Sequence, residues 1–190
     1  MLYTMQYISR HLRCLLMSLV LALGISALAA APVDNYGLLQ VREGKLCAAD
    51  NSPANGDPIQ LRGMSLFWSQ YGQTWWNESA VDQSVDWLGC EIIRAPLGVG
   101  DYPTPDMPGG YMQAPELNTA RVKRIVDEAL YKGIYVIIDW HDTHIELPTH
   151  AEAAKGFFTQ MAKEYGNVPN VLFEIVNEPV GGAHRDHKQM

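Results

Sequence analysis

The chain has 190 residues, 47% of them hydrophobic and 18% charged, with a formal net charge of −7. That length and apolar content suit a folded domain with its own core and exclude an intrinsically disordered chain. The acidic balance, without a basic patch, excludes nucleic acid as the natural ligand and suits a neutral partner.

Residues 1–30 read as a secretory signal peptide. Arg10, His11 and Arg13 precede an apolar run from Leu15 to Ala30, and Ala27-Leu28-Ala29 supplies the small residues of a cleavage site. The run is short for a bilayer span and lacks stop-transfer charges, which disfavours a membrane anchor. Cys14 lies ahead of the cleavage site, and no later stretch approaches spanning length. Cleavage removes Arg10 and Arg13 and no acid, so the mature surface is more acidic still. A secreted or periplasmic protein, free of the membrane after cleavage, is the expectation. Cys47 and Cys90 remain as an even pair in an oxidising compartment, either bridged or standing as two separate core cysteines.

Residues 32–57 are polar and turn-rich, and Leu38–Val41 with Ile59–Leu61 are expected to pair as a small N-terminal hairpin. An alternation follows. Ile59–Ser65 reads as a strand, Ser79–Leu88 as a short helix stopped by Gly89, and Ile92–Pro96 as a strand before a Gly/Pro-rich loop to Glu116. Asn118 reads as the cap of a helix whose apolar face is Val122, Ile125, Val126, Ala129 and Leu130, and Gly133 stops it. Ile134–Ile138 is a continuous β-branched run of the kind buried on both faces. Thr149 and Glu152 form a capping-box pattern ahead of Ala154, Phe157, Phe158, Met161 and Tyr165, and Val171–Val176 is again a strand.

Strands alternating with helices predict parallel βαβ units with right-handed crossovers. No Gly-x-Gly-x-x-Gly turn follows the first strand, so a nucleotide crevice is unsupported. The polar residues gather instead where strands end, the habit of a (β/α)8 TIM barrel. The expected fold is therefore α/β, a TIM barrel truncated to about its first four βα units, carried by residues 31–180. Residues 181–190 show no helical periodicity where a fourth helix is due, and read as a non-native tail. Half a barrel leaves an unpaired strand edge, exposes barrel-facing side chains, and leaves Arg94 without its carboxylate partner.

Asn177-Glu178-Pro179 is the sharpest chemical signal. A carboxyl at a barrel rim beside an amide donor suits glycosidic cleavage, with Glu178 protonating the leaving oxygen and Asn177 bonding a sugar hydroxyl. That role needs Glu178 buried or beside another carboxylate, so that its proton is held. Arg94 stands inside an apolar strand, where it must be paired, and a catalytic carboxylate is the natural partner. His141 suits a hydrogen bond in a sugar cleft. His141-x-x-His144 with Asp142 tempts a metal assignment, but no third ligand falls at a recognisable spacing, so no metal and no cofactor are expected. Trp68, Tyr71, Trp75 and Trp76 lie in one loop, where flat rings can cover sugar C–H faces. Trp68 is the first choice, Tyr71 and Trp140 are placed with it as substrate contacts, and Trp87 reads as packing.

Taken together these segments resemble glycoside hydrolase family 5, and within it the bacterial endo-β-1,4-glucanases (cellulases). The likeness rests on Leu61-Arg62-Gly63-Met64-Ser65-Leu66-Phe67-Trp68-Ser69, on Ile93-Arg94-Ala95, on Gly133–His141, and on Asn170-Val171-Leu172-Phe173-Glu174-Ile175-Val176-Asn177-Glu178-Pro179. The resemblance implies a retaining, endo-acting hydrolase of β-1,4-glucan on a metal-free (β/α)8 barrel. Its acid/base would be Glu178, with Asn177, Arg94 and His141 around it. The family takes its nucleophile from a seventh strand absent here, which implies inactivity on carboxymethylcellulose. A mannan-type substrate, or a non-catalytic glycan-binding half-barrel, are the competing expectations.

Overall fold

The computed structural model describes residues 30–100 and 109–178. The expected leader and the expected tail lie outside those residues, apart from Ala30. No helix among the described residues is long and apolar enough to cross a membrane.

The described chain begins with a short helix, α1 (Pro32–Tyr36), started by a proline whose fixed φ suits the first turn. It is stapled to the sheet by Val33 N–H donating to Gly133 O at 3.0 Å and by Tyr135 Oη–H donating to Gly37 O at 2.6 Å. Strands β1 (Gln40–Arg42) and β2 (Lys45–Cys47) form an antiparallel hairpin. Its turn, Glu43-Gly44, has φ of 49° and 74°, the left-handed pair that a tight two-residue hairpin requires. The expected pairing of Leu38–Val41 with Ile59–Leu61 is thus corrected: the local turn wins, and Pro58 and Ile59 meet β2 instead.

Four parallel strands make the main sheet, in the order β3 (Gly63–Ser65), β4 (Ile92–Gly98), β5 (Tyr135–His141) and β6 (Val171–Glu174). Helices α2 (Glu78–Asp86), α3 (Pro115–Tyr131) and α4 (Pro148–Tyr165) form the crossovers between them. This is the α/β architecture expected, with four of the eight strands that a (β/α)8 barrel closes. Asn77 caps α2 by accepting from Ala80 N–H. The other two helix starts correct the sequence reading. Both α3 and α4 open on prolines, Pro115 and Pro148, with no side-chain cap. Asn118 and Thr149 therefore fall inside helices, because proline at the first turn sets the start earlier than the polar residue would.

Strand alternation sorts the side chains into two faces. Ile93, Ala95, Leu97, Val136, Ile138 and Trp140 join Val122, Ile125, Val126, Ala129, Phe157 and Met161 in one core between sheet and helices. Full burial of each such aliphatic side chain contributes about 1.5–3 kcal/mol. The opposite face of the same strands therefore presents Arg94, Asp139 and His141, and the site is built there. Cys90 belongs to the helix-side core and Cys47 does not; both are buried free thiols. The tentative Cys47–Cys90 bridge is corrected accordingly, since the hairpin and the sheet bury their cysteines separately.

Candidate active site

The site begins with register. Pro96 pairs with Asp139, and Asp139 with Glu174, so the C-terminal ends of β4, β5 and β6 bring their inward-facing polar residues level. Arg94 is the hub. Its Nε donates to Glu174 Oε2 at 2.7 Å and its Nη2 to Glu174 Oε1 at 2.7 Å, a bidentate pair. Nη2 also reaches Asp139 Oδ2 at 2.8 Å and donates to Asn177 Oδ1 at 3.0 Å. The expectation that Arg94 lacks a carboxylate partner is corrected: it has two, and neither is Glu178.

Asp139 is 0% exposed, and its Oδ2 is ion-paired with Arg94 Nη2 at 2.8 Å and meets His141 Nδ1 at 2.7 Å. Burial pushes its carboxyl above the usual aspartate range, and the His141 hydrogen bond and Arg94 charge pull against that rise. The Glu174 hydrogen bond, with the charge of Asp139 behind it, holds Arg94 still more firmly protonated. The His141 ring lies 4.5 Å from that of Trp68, and Trp68 lies 5.7 Å from Tyr71. The structure therefore brings Arg94, Asn177, His141, Trp68 and Tyr71 into one continuous patch.

The loop carrying Trp68 is tied down next door. Ser69 Oγ–H donates to Asn118 Oδ1 at 2.7 Å, and Gly98 N–H donates to Ser69 Oγ at 3.1 Å. Gln70 is buried directly over Gly98, where a Cβ would come 1.5 Å from its Oε1. Only glycine permits that approach at the end of β4.

Three expectations are corrected here. Trp140 is 0% exposed and packs against Tyr111, Phe157 and Phe158 in the helix-side core. It cannot touch a glycan, because flanking Asp139 and His141 take the site face and alternation sends Trp140 to the other. Trp76 is not among these corrections: it is a loop aromatic used for packing, buried with its indole N–H donating to Phe67 O. Trp87, read as packing, is 77% exposed beside Trp75, Met64 and Phe67 at the β3 edge of the sheet. Glu178 follows Asn177 on the rim with a left-handed φ of 40°, and it is exposed rather than buried. His141 and His144 do not converge on a common ligand: His144 Nδ1 meets Glu146 at 3.0 Å.

Sequence reasoning quoted Glu174 within a motif and gave it no task. Its signal was available, since an acid inside Val171-Leu-Phe-Glu-Ile-Val176 is as anomalous as the arginine inside β4. Asp139 was quoted as part of a motif and given no task.

Comparison with known proteins agrees with this geometry. Residues 52–189 match the family described as cellulase, glycosyl hydrolase family 5. An endoglucanase of Clostridium saccharobutylicum is 38% identical over 156 residues, covering 82% of this chain and 32% of that protein. Endoglucanase N of Pectobacterium atrosepticum is 37% identical over 168 residues, covering 86% of this chain and 34% of that protein. Among solved structures, the catalytic domain of Thermobifida fusca endoglucanase Cel5A superposes with a TM-score of 0.72 at 32% identity, covering 84% of this chain and 49% of that one. A variant of that domain has been solved in complex with cellotetraose. The chain thus spans about a third of the length of the curated relatives it matches and about half of that catalytic domain.

Proposed function

The chain belongs to glycosyl hydrolase family 5, and on that premise we propose that it carries one wall of the active site of a retaining, endo-acting hydrolase of β-1,4-glucan. The observation that carries this reading is the Arg94 hub beside the Trp68–His141 wall. In it Glu178 is the acid/base, positioned at the rim by the strand-end turn. Arg94 takes the carbonyl oxygen of Asn177, which leaves the Asn177 amide N–H groups to meet a sugar hydroxyl as charge develops. Trp68 and Tyr71 cover sugar faces by apolar contact without charge.

A retaining mechanism needs a second carboxylate about 5–5.5 Å from the first, acting as nucleophile. Glu174 and Asp139 are both bound to Arg94 and so are poor nucleophiles. The nucleophile, on this reading, comes from outside the described residues, and the 190-residue chain alone binds glucan without cleaving it. Export belongs to the same reading, because a polymeric substrate stays outside the cell and residues 1–30 have the composition of a secretory leader.

Two assays test this. Titration of the chain with cellotetraose and with mannotetraose, followed by tryptophan fluorescence, is expected to favour cellotetraose; equal or tighter mannotetraose binding overturns the glucan assignment. Incubation with carboxymethylcellulose is expected to release no reducing ends, and turnover that vanishes in Glu178→Gln overturns the inactivity. Cell fractionation that finds the chain in the cytoplasm with Met1 retained overturns export.

A further inference from the structure

The Arg94 hub contains a carboxylate that no catalytic step uses. Asp139 is wholly buried, and a single oxygen, Oδ2, faces both Arg94 Nη2 at 2.8 Å and His141 Nδ1 at 2.7 Å. Its other oxygen has no partner among the described residues. An oxygen ion-paired to a permanent cation in a buried site is held as a carboxylate oxygen, and an ionised carboxylate can only accept. The hydrogen between Asp139 and His141 must then sit on Nδ1. In a neutral imidazole that leaves Nε2 bare, an acceptor and not a donor. Nε2 has no protein partner among the described residues, while the ring is held against Trp68 at 4.5 Å.

From this geometry we infer that Asp139 is a positioning residue: pinned by Arg94, it locks His141 in the Nδ1–H tautomer and so presents Nε2 as a hydrogen-bond acceptor beside Trp68. A free imidazole prefers the opposite tautomer, with its proton on Nε2. Asp139 therefore inverts what the histidine offers. A sugar hydroxyl meeting Nε2 must donate its hydrogen there, which restricts how that hydroxyl can be oriented. Glu174 belongs to the same device at one remove, because its bidentate grip fixes the guanidinium that holds Asp139. The tautomer itself is independent of the glycan reading; only the identity of the group that meets Nε2 rests on it.

The test is spectroscopic and needs no turnover. In the full chain labelled with 15N-histidine, long-range proton–nitrogen correlation near neutral pH reports which ring nitrogen carries hydrogen. His141 is expected to show a protonated Nδ1 and a pyridine-like Nε2. A wild-type His141 protonated on Nε2 alone overturns the inference by itself, whether or not any variant folds. In Asp139→Ala that retains its circular dichroism, His141 is expected to move to the Nε2–H form, and retention of Nδ1–H overturns the lock. Adding cellotetraose separates the two readings: an unmoved Nε2 resonance counts against the glucan cleft and leaves the tautomer result standing.

Discussion

The two middle strands of the sheet and the two outer ones live in different surroundings, although apolar side chains stand in all four. In β4 and β5 most residues are buried, while all three residues of β3 are exposed and none of the four in β6 is fully buried. Met64 on β3 is 49% exposed and Phe173 on β6 is 39% exposed. Each outer strand has one hydrogen-bonded neighbour where each middle strand has two. A closed barrel gives every strand two neighbours, and the apolar residues of β3 and β6 are suited to that cover. What the difference teaches is that strand composition reports the burial a sequence is built for, and pairing decides the burial it receives.

Substitutions can break that comparison. The largest effect is expected at the hub. Arg94→Ala removes the cation from buried Asp139, leaving it only the His141 bond, and from Glu174, and should cost about 3–5 kcal/mol of stability, read as a fall in the urea midpoint. Arg62→Ala, outside the sheet edge and facing Glu91 at 3.8 Å, should leave the midpoint in place. Next come the register partners Met64 and Ile93. Ile93→Ala should cost about 2–5 kcal/mol through the cavity it leaves, and Met64→Ala no more than about 0.5 kcal/mol. Equal losses at the two positions would show that β3 is covered in solution, for example by self-association.

The aromatic residues sharpen the contrast between the two faces. Trp68→Ala should weaken cellotetraose binding about tenfold, on the order of 1.4 kcal/mol. Trp140→Phe should leave affinity unchanged, since that ring lies in the helix-side core. The last effect is electrostatic and is confined to alkaline pH. Burial pushes the Tyr135 hydroxyl from 10.0 up to about 12. A phenol whose folded value is raised contributes stability that is whole below its unfolded value and lost as pH rises through the folded one. Wild-type stability should therefore decline between pH 10 and about 12, and Tyr135→Phe should flatten that part of the curve.

Much of this was legible beforehand, for identifiable reasons. The period of Val122, Ile125, Val126 and Ala129 announced α3, and the β-branched run at Ile134–Ile138 announced β5, because both are buried on the side their pattern faces. The site residues Arg94, His141 and Asn177 were visible as polar groups at strand ends. Trp140 was misassigned by proximity to His141 in the chain, though alternation alone places neighbours on opposite faces of a strand. The role of Glu174 was missed because it sits inside an apolar run close to the more conspicuous Asn177-Glu178. The helix starts were misread because a capping side chain was weighed above the proline ahead of it. The Cys47–Cys90 pairing could not be read, since the hairpin's register depends on a turn of two residues, Glu43 and Gly44.

The bond between Ser69 and Asn118 spans 49 residues of sequence. Ser69 adjoins Trp68, and it is also anchored to Pro96 and Gly98 on β4 and to Arg121 on α3. The aromatic wall consequently has no fixed seat until β4 has paired and the first turn of α3 has docked. Closing so long a loop is slow and is rewarded only after the contact is made. The sugar-facing surface is thus a late product of folding, and tryptophan fluorescence from Trp68 should reach its final value after the helical circular dichroism signal does.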